Sequence, residues 1–140
     1  MNPINRFDGD YYFLSNFYPC PVMMDTIIYD SSEHAYQAAK TLDKSEREKV
    51  ASCATANEAK KMGKVITLRS NWETIKLDIM EKIVTDKFKR NPILMSLLIA
   101  TGDAILIEGN YWHDEFWGVY QGKGENHLGL ILMKVREDCK

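Results

Sequence analysis

Cysteine is scarce in this sequence, and its three cysteines are not arranged for a disulfide framework or a zinc site. Cys20, Cys53 and Cys139 form an odd set among 140 residues, and no two of them have the CxxC spacing. Disulfide-stabilised domains and structural zinc sites need paired or clustered cysteines, so neither is indicated. We expect the chain in a reducing cytoplasm, where thiols stay free.

Long apolar runs and an excess of positive charge are also missing. No apolar run is long enough to span a bilayer, and polar residues interrupt the apolar positions near the N-terminus, so we expect no membrane partner and no signal peptide. The 18 basic and 20 acidic residues give a net charge of -2. Broad electrostatic capture of nucleic acid needs a basic surface, so only a local basic patch remains for a phosphate.

Repeats, low-complexity stretches and linkers are absent as well. The chain has 140 residues, of which 45% are hydrophobic and 27% charged, and this profile matches one globular domain with a sizeable core. We therefore predict a single domain over residues 1–140.

The apolar pattern predicts mostly helices with a few short strands. Residues 11–17 are rich in aromatic side chains and predict a strand, while Val22–Met24 and Ile27–Tyr29 predict a hairpin that turns at Asp25-Thr26. Two further strands are predicted over residues 104–108 and 117–120, with a turn at 109–110. Helices are predicted over residues 33–41, 72–88 and 93–100, the last of them buried, and from Asn126 onward. Two capping boxes, which begin at Ser45 and Thr55, predict the starts of two further helices. This order predicts the α+β class, as a single compact, mostly helical domain.

One predicted helix carries three polar side chains on the same face. Glu33, Gln37 and Lys40 follow one another at spacings of four and three residues, directly after a hydrophobic strand. Much later in the chain, residues 112–118 contain Trp112 and Trp117 with acidic residues between them. Carboxylates combined with flat aromatic walls suit a nucleotide or a nucleobase.

Each of these residues also has a purely structural interpretation. Glu33 in a first helical turn stabilises the helix dipole, with a partly exposed histidine beside it, and Lys40 at the opposite end is typical of a solvated helix terminus. Asp114 is a residue type that forms turns, although two tryptophans in a glycine-flanked loop favour function there. For Trp72, at the start of a long amphipathic helix, the pattern favours the core.

The sequence excludes two known functional motifs, a zinc-protease motif and a phosphate-binding loop. The sequence Glu33-His34 is not part of HExxH, because position 37 is Gln37, and residues 122–125 lack the GxxxxGK[ST] pattern of a phosphate-binding loop. Three scattered histidines and unclustered cysteines give no metal-ligand spacing, so we expect no metal site and no cofactor.

In this order the motifs resemble the YbiA-like, or NADAR, family. The resemblance rests on residues 13–19 (FLSNFYP), 32–40 (SEHAYQAAK) and the long helix from Trp72 through 87–88, followed by 101–103 (TGD), 112–118 and 126–136. It covers nearly the whole chain, and the ordered set is specific although each piece is weak alone. Tyr120 departs from the pattern, since the family has a glycine there, and we expect an altered pocket rim.

The resemblance implies a metal-independent N-glycosidase with an α+β fold and no cofactor. Its substrates would be ribosylamine nucleotides of riboflavin biosynthesis or ADP-ribosylated guanine in nucleic acid, so the implied partner is a small-molecule nucleotide or ADP-ribosylated nucleic acid. The oligomeric state is left open. The family's two acids fall on Glu33 and Asp114, and either could activate water and face the charged sugar.

The substrate-binding residues follow from the same resemblance and from the chemistry of breaking a ribose–nitrogen bond. Flat side chains would hold the base, cations would contact phosphate or ribose, and an amide would supply a polar contact. We predict that Trp72, Trp112, Trp117 and Phe17 are the flat walls. Lys40 and Arg6 are the predicted cations, and Asn16 is the predicted amide.

Two other kinds of protein stay open from the sequence. One is a module that binds ADP-ribose or a nucleotide without turnover, which would tolerate Glu33→Gln. The other is a protein-interaction domain in which the tryptophans are interface hot spots.

Overall fold

The computed structural model describes residues 1–140 and divides them into two compact units. The middle unit is Asn16–Asn91, and the terminal unit combines Met1–Ser15 with Pro92–Lys140. The prediction of one domain over residues 1–140 stays a prediction.

The middle unit begins with the predicted hairpin. Strands β1 (Val22–Met24) and β2 (Ile27–Tyr29) pair antiparallel, with Met24 opposite Ile27. Asp25 and Thr26 have φ angles of 48° and 73°. Two residues with positive φ are what a tight two-residue hairpin turn of the favoured hand requires, so the prediction is confirmed.

Four helices follow in the middle unit: α1 (Ser32–Ala39), α2 (Lys44–Ala51), α3 (Ala56–Met62) and α4 (Trp72–Arg90). Side chains of Ser31 and Thr55 cap α1 and α3, the latter as predicted. The predicted cap at Ser45 is wrong, because Asp43 accepts from the amide of Glu46 and starts α2 earlier.

Helix α1 is the centre of the middle unit. All eight of its residues are buried, and it packs against α2, α3, α4, β1 and β2. Helix α4 covers one side with apolar residues of the predicted periodicity, including Met80, Ile83, Val84 and Phe88. Polar side chains on a helix surrounded in this way lose water as a partner, so most of them pair with other groups of the protein.

The terminal unit contains a 3-10 helix (Gly9–Leu14), α5 (Pro92–Ala100), β3 (Gly109–Asn110), β4 (Val119–Tyr120) and α6 (His127–Asp138). Strands β3 and β4 pair in parallel, and α6 buries the predicted face of Leu128, Ile131, Leu132 and Val135. With two small sheets among helices, the structure confirms the α+β class.

Several element predictions in the terminal unit are wrong. Residues 11–17 are not a strand: Gly9 has a φ of 53° and starts the 3-10 helix, and Tyr11 and Tyr12 point to solvent. Residues 104–108 contribute only the bridge between Ile4 and Leu106, and the predicted turn at 109–110 is strand β3. Helix α5 exists but is not buried, since only two of its residues are in the core. No helix is both long and apolar enough to cross a membrane.

Candidate active site

Glu33 lies in the first turn of α1 and is buried inside the middle unit. Its backbone amide donates to the carbonyl oxygen of Asn16 at 2.9 Å, which ties the helix start to the preceding loop. Only 8% of Glu33 is exposed. A glutamate in this position faces the positive end of the helix dipole, yet it is largely withdrawn from water.

Burial has a direct electrostatic effect on this carboxyl group. Desolvation raises the pKa of Glu33, because the charged form loses its hydration. A hydrogen bond from Gln37 and the nearby charges of Lys60, Lys40 and His34 oppose the rise. A carboxyl with a raised pKa keeps its proton closer to neutral pH, as general acid–base catalysis requires.

Gln37 holds the Glu33 carboxyl from one helical turn further on. Its amide nitrogen Nε2 donates to Glu33 Oε2 at 2.6 Å, and both side chains are buried. The two residues, which are four positions apart in the sequence, are therefore joined by a direct hydrogen bond.

Lysines provide positive charge close to Glu33. Lys40, the C-cap residue of α1, is partly buried rather than fully solvated, and its Nζ lies 5.4 Å from the centroid of the Tyr36 ring. Desolvation lowers the pKa of Lys40 and the charge of Glu33 opposes this. Repulsion from three more lysines adds to the lowering: Lys60, Lys64 and Lys76. Such a group of cations is suited to an anionic ligand.

Aromatic side chains flank the same part of the middle unit. The Tyr36 and Trp72 rings have centroids 5.2 Å apart and planes inclined at 57°. Lys60 Nζ lies 6.0 Å from the centroid of the Phe17 ring. Trp72 is 5% exposed, so the core position favoured by its pattern is confirmed.

The side chains of Asn16 and His34 both have contacts within the middle unit. The Asn16 side chain is buried, and its amide nitrogen lies 3.5 Å from Met80 Sδ. The expectation of a partly exposed histidine is wrong, since His34 is 2% exposed. Its ring pairs with Ser31 Oγ at 2.6 Å and with the carbonyl oxygen of Cys53 at 3.0 Å, which fixes it as a structural residue of α1.

In the terminal unit, Asp114 organises the loop between Asn110 and Trp117. Asp114 Oδ1 accepts from the backbone amides of Phe116 at 3.1 Å and Trp117 at 2.8 Å. The Asn110 side chain brackets the same residue, accepting from its amide at 3.0 Å and donating to its carbonyl at 2.9 Å. These contacts correspond to the turn-forming role, one of the two roles that the sequence allowed for Asp114. A catalytic role for Asp114 stays a prediction.

The two loop tryptophans differ in exposure. Trp112 is 48% exposed and meets Tyr111 edge-on, with centroids 5.0 Å apart. Trp117 is half-buried and meets Phe116 edge-on at 4.8 Å. Tyr120 of β4 stacks on His113 with ring centroids 3.9 Å apart, so the residue that departs from the family pattern contacts this loop.

Arg6 also belongs to the terminal unit. Its Nε lies 3.8 Å from Asp8 Oδ2, and both side chains are exposed. Exposed ion pairs of this kind hold a side chain weakly, so Arg6 can exchange its partner for another anion.

No three His, Cys, Asp or Glu side chains are grouped so that they could hold a metal ion. Among the predicted site residues, the middle unit holds Glu33, Asn16, Phe17, Lys40 and Trp72, and the terminal unit holds Arg6, Trp112, Asp114 and Trp117.

The model of the NADAR domain matches residues 5–140. The chain belongs to the NADAR domain family. This confirms the resemblance found in the motifs.

Curated NADAR relatives carry two kinds of name. The N-glycosidase YbiA of Escherichia coli is 39% identical over 131 residues, which cover 91% of this chain and 81% of that protein. An N-glycosidase of Nostoc punctiforme is 36% identical over 90% of this chain and 84% of its own length. A riboflavin biosynthesis protein of Vibrio vulnificus is 40% identical over 95% of this chain, but this match spans only 37% of that protein.

A solved NADAR structure matches the fold as well. The NMR structure of E. coli YbiA superimposes with a TM-score of 0.88 at 37% identity, covering 99% of this chain and 84% of that one.

Two residues that shape the Glu33 environment were not among the predicted site residues. Lys60 has no local signal, because it reaches Glu33 from α3 only through helix packing. Gln37 does have a local signal, which is its spacing of four residues from Glu33. Only the folded structure shows that Gln37 is the direct hydrogen-bond partner of Glu33.

Proposed function

We infer that this NADAR chain is an N-glycosidase, and we propose that Glu33 performs the proton transfers of the reaction. The observation that supports this role is the buried Glu33 carboxyl, with its raised pKa, beside the cations Lys40 and Lys60. Its relatives named N-glycosidase support the reaction class.

Breaking a ribose–nitrogen bond has two chemical requirements. The departing nitrogen needs a proton, and the anomeric carbon becomes positively charged as the bond lengthens. Protonated Glu33 donates its proton to the nitrogen. The resulting carboxylate faces the cationic sugar and then takes a proton from the water that adds to the anomeric carbon, which restores the acid. One C–N bond and one water O–H bond break, and one C–O and one N–H bond form.

The substrate class follows from the charges around Glu33. We propose a ribosyl compound that carries phosphate, either a ribosylamine nucleotide or an ADP-ribosyl group attached to guanine. Lys40 and Lys60 would meet the anionic part, and Phe17 would flank the flat leaving group. For Arg6, Asn16, Trp72, Trp112, Asp114 and Trp117, a contact with substrate or a catalytic contribution stays a prediction.

The test is direct incubation with both substrate types, followed by mass spectrometry of the products. We expect a free ribosyl compound and a released amine or guanine, with one oxygen from ¹⁸O-labelled water on the sugar. The reactions are run with and without a chelator, and we expect equal rates because carboxyl chemistry needs no metal. Activity that disappears with the chelator and returns with one divalent ion would contradict this proposal. Binding of ADP-ribose without turnover would favour the non-catalytic module.

A further inference from the structure

Gln37 combines a short hydrogen bond with an unpaired oxygen. Its Nε2 atom lies 2.6 Å from Glu33 Oε2, while its Oε1 atom is buried and has no hydrogen-bond partner. Buried amide oxygens are nearly always paired, so an unpaired one next to the proposed catalytic group requires an explanation.

Gly63 provides the space that this oxygen occupies. It is the C-cap residue of α3, with φ of -60° and ψ of -17°, a helical conformation that any residue adopts. The backbone therefore does not require glycine here. A Cβ atom at Gly63 would overlap Gln37 Oε1, so it is the amide that excludes a side chain at this position.

A carboxamide can serve both protonation states of a carboxyl group. Its nitrogen donates to a carboxylate, and after a rotation of half a turn its oxygen accepts from a carboxylic acid. The Nε2–Oε2 separation of 2.6 Å is short for an N–H···O bond, and an amide oxygen in the place of Nε2 would lie at an ordinary O–H···O distance. Both orientations fit the same space, because the two ends of the amide have nearly the same size.

We propose that Gln37 is a positioning residue that holds Glu33 in both of its protonation states, and that Gly63 leaves the room its amide needs to turn. This inference rests on the proposed function, in which Glu33 gives a proton and takes one back. With Gln37 in place, neither transfer leaves the carboxyl group buried without a partner.

The first experiment measures the pKa of Glu33 from its carboxyl ¹³C chemical shift, in the wild type and in Gln37→Met. Methionine keeps the length of the side chain but removes the amide. The charged groups that act on Glu33 are Lys60 of α3 with Lys40 and His34 of α1, and all of them are retained. We expect the pKa of Glu33 to rise, because a hydrogen bond to a charged acceptor is stronger than one to a neutral acid. Turnover should fall about tenfold or more.

A double-mutant cycle tests the contribution of Gly63. Gly63→Ala should lower turnover and raise the pKa of Glu33 by displacing the amide. In a Gln37→Ala background the oxygen is gone, so adding Gly63→Ala should change neither quantity. If Gln37→Met does not fold, Gly63→Ala alone carries the pKa measurement.

The outcomes separate this inference from the proposed function. A Glu33 pKa that is unchanged in both Gln37→Met and Gly63→Ala overturns the inference, even if turnover falls. Equal effects of Gly63→Ala in the two backgrounds overturn the role given to Gly63. A wild type without turnover on any ribosyl substrate overturns the proposed function, whereas the pKa readout needs no substrate.

Discussion

The Trp72 ring packs on Tyr36 with centroids 5.2 Å apart, inside the middle unit rather than on its surface. Tyr36 lies on the same helix as Glu33, and Lys40 Nζ lies 5.4 Å from the Tyr36 ring centroid. Trp72 thus supports the helix that carries Glu33, whatever contact it makes with substrate.

Replacement of Trp72 is expected to cost stability first. We predict that Trp72→Ala lowers the free energy of unfolding by about 3–5 kcal/mol, because it leaves a cavity against Tyr36. Urea unfolding followed by circular dichroism measures this, with Trp112→Ala as a control that should change stability by less than about 1 kcal/mol, since Trp112 is 48% exposed. Equal stabilities of the two variants would contradict the core role of Trp72.

Asp114 is expected to act through its loop contacts. Asparagine can still accept from the amides of Phe116 and Trp117, whereas alanine cannot. We predict that Asp114→Asn keeps turnover within about threefold and that Asp114→Ala loses tenfold or more. If Asp114→Asn is as inactive as Asp114→Ala, Asp114 supplies charge or a proton, and the role of second catalytic acid would be supported instead.

Trp112 offers exposed aromatic surface for a base. If a nucleobase stacks there, Trp112→Ala should weaken nucleotide binding by about 1–3 kcal/mol without lowering the melting temperature. Titration calorimetry measures the affinity, and quenching of tryptophan fluorescence in the wild type reports the contact. Tyr11→Ala, another exposed aromatic residue of the terminal unit, is the control and should leave binding unchanged. Unaltered affinity in Trp112→Ala would remove this tryptophan from the site.

Lys87 introduces a pH dependence that is independent of the site. It is 1% exposed, and burial lowers its pKa from 10.5 to about 8. Its charged form destabilises the fold below pH 8, and this cost disappears as the pH rises from about 8 to 10.5. The stability of Lys87→Met relative to wild type should therefore be highest near pH 7 and decrease toward pH 10, in urea unfolding. A difference that stays constant with pH would show that burial does not lower the pKa of Lys87.

Local patterns in the sequence predict the elements whose structure is decided locally. The turn at Asp25-Thr26, the cap at Thr55 and the buried face of α6 all follow from neighbouring residues. The 3-10 helix at Gly9–Leu14 does not, because its aromatic residues favour strands on average.

Burial is the property that the local pattern misjudges. Helix α5 is almost wholly apolar, yet Ile93 is 78% exposed and Leu97 is 43% exposed. Conversely, the polar residues of α1 are buried because β1, β2, α2, α3 and α4 all pack against this helix. The proximity of Lys60 to Glu33 depends on how α3 packs on α1, which the spacing of residues along one helix does not contain.

In the proposed reaction, Glu33 gives and takes the proton that allows the ribose–nitrogen bond to break. The direct test is the turnover of Glu33→Gln, compared with Glu48→Gln, the same change at an exposed glutamate of α2. We predict a loss of about 100-fold or more for Glu33→Gln and none for Glu48→Gln. Because burial raises the pKa of Glu33, its charge costs stability above that pKa, so Glu33→Gln should melt no lower than wild type at pH 8. Full turnover in a folded Glu33→Gln would contradict this role of Glu33.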